Sequence, residues 1–270
     1  MQSPSDAAHG QLPAKRHAEI YELARRNGIV KVADLAESLG VTEMTIRRDL
    51  EVLERKGLVE RIHGGAIINA RVGLEPLYVQ KSALHLAEKQ AIGRLATTLI
   101  EDGDTVFVNS GSTTIQFLEQ LDARVKVITN NPLAPLHVRS DKIDVLITGG
   151  ELRRESLTLV GETAQHVVRQ VFANKAVIGV DGFSIRHGLT NPTQAESYIN
   201  RLMIKMTHGE VILVADSSKA GKVANFLTVP IKAVTTIVTD DRIDERLAEE
   251  FRKIGIRVLL AGAEEGHRDA

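Results

Sequence analysis

Seven short runs rich in Val and Ile, at 105–108, 125–129, 145–148, 176–180, 211–215, 235–239 and 258–260, constrain this chain more than any other feature. Each is apolar at consecutive positions, so as a strand it presents apolar side chains to both faces. Strands of that kind belong in a parallel sheet covered on both sides. Between several of them the spacing predicts helices, over 114–121, 164–171, 194–208 and 243–254. Strands alternating with helices predict an α/β sheet with right-handed crossovers. Residues 105–262 are therefore expected to form a Rossmann-like domain with a mostly parallel sheet.

The remaining chain reads differently. Residues 1–13 are small, polar and Pro-containing, a mobile tail, and 263–270 are read as a second tail. Residues 14–70 are helical in pattern and locally charged. Residues 71–104 join the two parts as a linker and connecting helix, with a break at Glu75-Pro76 and an amphipathic helix over 83–100. A length of 270 residues accommodates both domains. Cysteine is absent, which excludes disulfides and thiolate metal sites. The nine histidines are scattered without metal-ligand spacing, so neither a metal nor a cofactor is implied. Aromatic residues are 3% of the chain and Trp is absent, which argues against base stacking on single strands. A net charge of −1 excludes a uniformly basic coat. No apolar run approaches the roughly 18–20 residues of a membrane span, and the N-terminus lacks the apolar core of a signal peptide. A soluble, cytoplasmic protein is expected.

Within 14–70, Ile20, Leu23 and Ala24 share one face of a first helix that stops at Asn27-Gly28. Val32, Leu35, Ala36 and Leu39 recur at i, i+3, i+4 and i+7, the pattern of a second short helix. Gly40 follows and can take a positive φ. Thr42 then caps a third helix by accepting from a backbone N–H near Thr45. Ile46, Leu50 and Leu53 form that helix's buried stripe, and Met44, Arg48, Glu51 and Arg55 fall opposite, flanked by Thr45 and Arg47. Asp49 sits at the edge of the buried face and is expected to pair with a basic neighbour rather than meet a ligand. Two helices, a tight turn and a third helix with a basic outer face predict a helix-turn-helix. Residues 58–68 read as a hairpin about Gly64-Gly65, a wing that carries Arg61 and His63. The candidate DNA-binding set is Thr42, Met44, Thr45, Arg47 and Arg48 on the helix and Arg61 and His63 on the wing. Arginines can neutralise phosphates or grip guanine edges.

In the C-terminal part, the exits of the strands are unusually polar. The first run leads through Asn109-Ser110-Gly111-Ser112-Thr113-Thr114 into a helix, and small residues with free N–H groups at a helix start suit a phosphate. Later runs exit in Thr129-Asn130-Asn131, Thr148-Gly149-Gly150, Asp181-Gly182 and Asp216-Ser217-Ser218-Lys219. Lys219 offers a positive charge to an anion, and Asp181 suits sugar hydroxyls. Gly149-Gly150 reads equally as a tight exit, and Asp216 as a cap on the segment after it.

Two sets of motifs resemble one family. The string Val41-Thr42-Glu43-Met44-Thr45-Ile46-Arg47-Arg48-Asp49-Leu50, with Leu53-Glu54, Gly57-Leu58-Val59, Arg61 and His63-Gly64-Gly65-Ala66, resembles the winged helix-turn-helix of DeoR-type bacterial transcriptional regulators. The strand exits resemble that family's sensor domain, whose fold is similar to ribose-5-phosphate isomerase and binds phosphorylated sugars. The resemblance implies an effector site from Ser110, Gly111, Ser112, Thr113 and Thr114 (phosphate loop), Thr129, Asn130, Asn131, Gly149 and Gly150 (walls), Asp181, Glu196 and Lys219. It implies double-stranded operator DNA and a phosphorylated sugar as partners, a homo-oligomer (dimer or tetramer), and no catalytic residues. An alternative is an isomerase-like enzyme with an accessory DNA-binding domain. Arg186-His187-Gly188-Leu189-Thr190 stands where the isomerase has a glycine-rich loop with a lysine, which favours binding over turnover.

Overall fold

A computed structural model describes residues 13–27, 29–55, 58–62, 64–68 and 78–262. The chain divides into two compact units, 1–74 and 75–270.

The first unit contains α1 (Pro13–Asn27), β1 (Ile29–Lys31), α2 (Val32–Leu39), α3 (Glu43–Arg55), β2 (Val59–Ile62) and β3 (Gly65–Ile68). Its core is the stripe read from the sequence: Ile20, Ala24, Val32, Leu35, Ile46, Leu50 and Leu53 pack together with Leu58, Val59 and Ala66. Gly40 ends α2 with φ of 64°, and its N–H bonds back to Glu37. The hairpin of β2 and β3 forms as expected. The sequence pattern did not reveal β1, which pairs antiparallel with β3 and completes a three-stranded sheet in the order β1-β3-β2.

The second unit begins with α4 (Tyr78–Ala83) and α5 (Leu86–Thr97). α5 is the helix expected over 83–100, starting later because the backbone turns at His85, which takes a left-handed φ of 54°, and α4 before that turn was not expected. Both helices pack into the second unit, and Ala91, Ile92 and Ala96 of α5 join its core. There follow β4 (Thr105–Val108), α6 (Ser112–Gln120), β5 (Val125–Thr129), α7 (Ala134–His137), β6 (Ile143–Ile147), β7 (Glu151–Arg153), β8 (Thr158–Val160) and α8 (Gly161–Arg169). Then come β9 (Ala173–Ile178), β10 (Gly182–Ser184), β11 (Gly188–Asn191), α9 (Gln194–Lys205), β12 (Thr207–Val214), β13 (Phe226–Val229), β14 (Thr236–Asp240), α10 (Glu245–Lys253) and β15 (Arg257–Ala261).

All seven aliphatic runs become strands of one parallel sheet, in the order β15-β14-β12-β9-β4-β5-β6. Successive residues feed opposite faces: Phe107 and Ile128 pack with α8, α9 and α10, whereas Val106, Val108 and Val127 pack with α5 and α6. The edge strand β6 departs from two-sided burial. It has a neighbour on one side only, and Leu146 is 46% exposed there. Two small antiparallel sheets, β10-β11-β13 and β7-β8, were not legible as strands.

The strand order fixes where a ligand can enter. From β4 the chain runs outward through β5 and β6, then returns to β9 on the other flank of β4 and runs outward through β12, β14 and β15. Between β4 and β9 the winding reverses. Loops leaving adjacent strands there diverge, and a crevice opens at the carboxyl ends.

Candidate functional site

On α3 the helix start is built as its sequence requires. The Thr45 N–H donates to Thr42 Oγ1 at 3.2 Å, and the two threonine hydroxyls lie 2.9 Å apart. With Ile46, Leu50 and Leu53 buried, the opposite face projects outward: Met44 is 61% exposed, and Arg47 and Arg48 are exposed beside it. Arg47 Nη2 donates to Glu43 Oε2 at 3.1 Å, one turn earlier. Arg61 on β2 is held by α3: its backbone N–H donates to Glu54 Oε1 at 3.1 Å and its Nη1 to Glu51 Oε1 at 3.1 Å. The wing is thus tied to the helix it follows, and a phosphate has to compete with Glu51 for Arg61. His63 lies outside the described residues.

Asp49 is on the same helix but points inward, at 5% exposure. Arg16 of α1 meets it through Nε and Oδ2 at 2.5 Å and through Nη2 and Oδ1 at 3.1 Å. His17 Nε2 lies 2.8 Å from Asp49 Oδ1. The fork of two N–H groups on one carboxylate raises the Arg16 pKa above its ordinary value, chiefly through the hydrogen bond to Asp49. The pairing expected for Asp49 is therefore present, with partners 32 and 33 residues away in sequence.

In the second unit, the crevice at the β4/β9 reversal is a cleft of about 590 Å³ including its open mouth. Ser110, Gly111, Ser112 and Thr113 form one wall at the start of α6. No side chain caps that helix and no acidic residue lies in its first turn. Its leading N–H groups and the positive end of its dipole are therefore available to an anion. Gly179, Val180 and Asp181 follow β9, and Asp216 and Lys219 follow β12. Asp181, Glu196 and Lys219 line the cleft together with the 110–113 loop.

The other sequence candidates lie behind the lining. Asn130 is fully buried and braces the loop: its Oδ1 accepts from the Ser110 N–H at 2.9 Å and its Nδ2 donates to the Leu159 carbonyl at 3.1 Å. Thr129 Oγ1 accepts from the Asn131 N–H, and Asn131 Oδ1 from the Leu133 N–H. Thr114 Oγ1 donates to the carbonyls of Asn109 and Gly111. Gly149 and Gly150, with φ of 66° and 112°, form the tight exit of β6. Thr114 lies on α6 behind the loop that follows β4, whereas 129–131 and 149–150 leave β5 and β6, beyond the reversal.

Three cleft residues come from a segment read as linker and connecting helix: Tyr78 and Lys81 on α4, and Lys89 on α5. Lys81 Nζ lies 2.7 Å from Asp181 Oδ1, and Lys219 Nζ lies 4.0 Å from the same atom. Lys89 donates to the carbonyls of Lys81 and of Leu84, the latter at 2.6 Å. Its burial lowers its pKa from 10.5 to about 8, with Asp216 and Asp181 resisting and Lys219 and Lys81 reinforcing the shift. A signal for Lys89 was present: with Ile92, Gly93 and Ala96 it completes an i, i+3, i+4, i+7 stripe, so a lysine occupies a position that faces inward.

Asp216 divides its carboxylate between two tasks. Oδ1 accepts from the Ser218 N–H at 3.1 Å and from the Ser218 hydroxyl, which is the cap expected from the sequence. Oδ2 is buried and has no hydrogen-bond partner among the described residues, in a side chain whose residue is only 1% exposed and lines the cleft. An orphaned carboxylate oxygen is costly unless a donor arrives, so this atom suits a ligand hydroxyl. Glu196 opens α9 and pairs with Arg153 Nε at 3.2 Å. Asn191, Asn200, Ser156 and Thr158 add further amides and hydroxyls. The lining combines a helix start and three lysines with carboxylates, amides and hydroxyls, a set able to hold an anionic group at one point and several hydroxyls at others.

Comparison with known proteins gives matches over both units. Residues 16–72 match the DeoR-like helix-turn-helix domain, and residues 84–241 match the DeoR C terminal sensor domain. The chain is 33% identical over 250 residues to the HTH-type transcriptional regulator GlpR of Haloferax volcanii, covering 92% of this chain and 98% of that one. It is 31% identical over 254 residues to the putative aga operon transcriptional repressor of Escherichia coli O157:H7, covering 92% and 94%. Ribose 5-phosphate isomerase A of Methanocaldococcus jannaschii overlaps 49% of this chain and 53% of its own, with a TM-score of 0.36 and 16% identity, an overlap too loose to transfer chemistry.

Proposed function

The chain belongs to the DeoR family and is a transcriptional regulator, not an enzyme; from that premise we propose that it represses a sugar-metabolism operon and that a phosphorylated sugar in the cleft changes its hold on operator DNA. The observation that carries this reading is the cleft at the β4/β9 reversal, where the uncapped start of α6 meets Lys81, Lys89 and Lys219. The phosphate sits against the N–H groups of 111–113, and the sugar hydroxyls meet Asp181, Glu196 and the free oxygen of Asp216. Asn130 and Thr114 act by holding the phosphate loop in shape.

On the DNA side, α3 enters a major groove with Arg47, Arg48, Met44 and Thr45 toward the bases and phosphates, and the wing brings Arg61 to the backbone. A homo-oligomer presents two such helices to half-sites about 34 Å apart. The effector acts only through a difference in its affinity for the DNA-competent state and the released state.

Ser112→Asp, which puts a carboxylate at the start of α6, and Lys219→Ala test the reading. Using a duplex selected by the wild-type chain from a randomised pool, each variant should bind that duplex normally and respond at least about tenfold less to the effector. A normal effector response would remove these residues from the ligand site.

A further inference from the structure

Asp49 contributes nothing to the outer face of α3, yet it carries the most heavily partnered carboxylate in the first unit's described core. A buried carboxylate beside Ile46, Leu50 and Leu53 is strongly unfavourable unless it is paired and hydrogen-bonded. An apolar residue there would extend the stripe without that cost. The Arg16 fork is bidentate and directional, with 2.5 and 3.1 Å contacts, and His17 occupies a third direction at 2.8 Å. The hydrophobic effect itself is non-directional, so apolar burial fixes the rotation of a helix about its axis less sharply than a bidentate hydrogen bond. A planar fork with a third partner adds that sharp angular constraint.

We propose that Arg16, Asp49 and His17 are positioning residues that set the rotation of α3, and that the discrimination of operator from other DNA depends on them although none touches DNA. The geometry of α3 gives the reason. On a helix about 10–12 Å across, a rotation of about 20° moves an outward side chain by roughly 2 Å. A shift of that size breaks a bidentate contact from Arg48, which immediately precedes Asp49, to a base edge. It leaves phosphate contacts largely intact, because phosphates accept donors from many directions and carry no sequence information. The cluster therefore acts on specificity more than on affinity for DNA as such. The inference rests on α3 being the helix that reads the groove.

The test replaces the ion pair by an apolar pair, Arg16→Met with Asp49→Leu in the full chain, an exchange that is often neutral or stabilising for a fold. Binding is measured at one salt concentration on two duplexes, one selected by the wild-type chain from a randomised pool and one of scrambled sequence, alongside the melting midpoint. The expected result is a folded variant whose affinity for the scrambled duplex stays within about twofold while its preference for the selected duplex falls at least about tenfold. Arg16→Lys, which keeps the charge and loses the fork, should fall between the two. A folded double variant with wild-type preference overturns the proposal, and so does an equal loss on both duplexes, which is the signature of a merely structural role. If the double variant does not fold, Arg16→Lys decides, and unchanged preference overturns the proposal. Failure of the wild-type chain to select any duplex would instead count against α3 as the reading helix.

Discussion

Replacing Lys89 by Met removes a charge that the fold holds at a cost. Lys89 is buried at the cleft, and its pKa is lowered from 10.5 to about 8, chiefly by burial. At about 1.4 kcal/mol for each tenfold change in proton affinity, keeping it protonated in the folded state costs about 3 kcal/mol relative to water. The dependence on pH follows from the proton count. Below pH 8 the lysine is protonated in both the folded and the unfolded chain, and stability does not vary with pH through this group. Between about 8 and 10.5 the folded chain has released the proton and the unfolded chain still holds it, so unfolding takes up a proton and stability rises with pH. From about pH 7 to about pH 10 this contribution amounts to roughly 2.5 kcal/mol. The variant also strands the carbonyls of Lys81 and Leu84, which opposes the gain by about 1–3 kcal/mol at every pH. The robust quantity is therefore the difference between wild type and variant, measured by denaturant unfolding across that range. Wild type should gain roughly 2.5 kcal/mol on Lys89→Met between the two ends. Parallel stability curves would refute a buried, proton-releasing Lys89. Inorganic phosphate binding should move oppositely, weakening above pH 8 in wild type as the charge is lost and staying flat in the variant.

Other predictions follow from single contacts. Arg48→Ala should weaken binding to the selected duplex by about 1–3 kcal/mol if the contact is bidentate to a base, and unchanged affinity in a fluorescence titration would remove Arg48 from the interface. Gly150→Ala should destabilise the second unit by about 2 kcal/mol or more, because φ is 112° and an added Cβ would lie 2.4 Å from the Val160 carbonyl oxygen. A melting midpoint equal to wild type would show that the exit of β6 relaxes freely.

The parallel sheet and the reader were legible because their signals are local and periodic. Val and Ile runs mark each sheet strand, and the stripes of α2 and α3 repeat at helical spacing. The three-residue β1, β7, β8 and β10 carry too few residues for a period, and pairing with a distant partner decides them. The strand exits were likewise legible as polar, but which of them line the cleft depends on strand order. Asn130 and Asp181 look alike in sequence, each a polar residue near a strand end, yet β5 lies one strand beyond the reversal and β9 lies at it. Lys81 and Lys89 escaped because they lie 29 and 21 residues before Ser110, and only folding brings them to it. The stripe position of Lys89 was the one local clue.

The proposed function joins DNA reading to recognition of a phosphorylated sugar in one chain. It is tested most directly by titrating the wild-type protein on its selected duplex with a panel of pentose and hexose phosphates and the same sugars without phosphate. At least one phosphorylated sugar should change duplex affinity by about tenfold or more and raise the melting midpoint, while its unphosphorylated parent does neither. Equal responses to both forms, or no response to any phosphate in the panel, would contradict it.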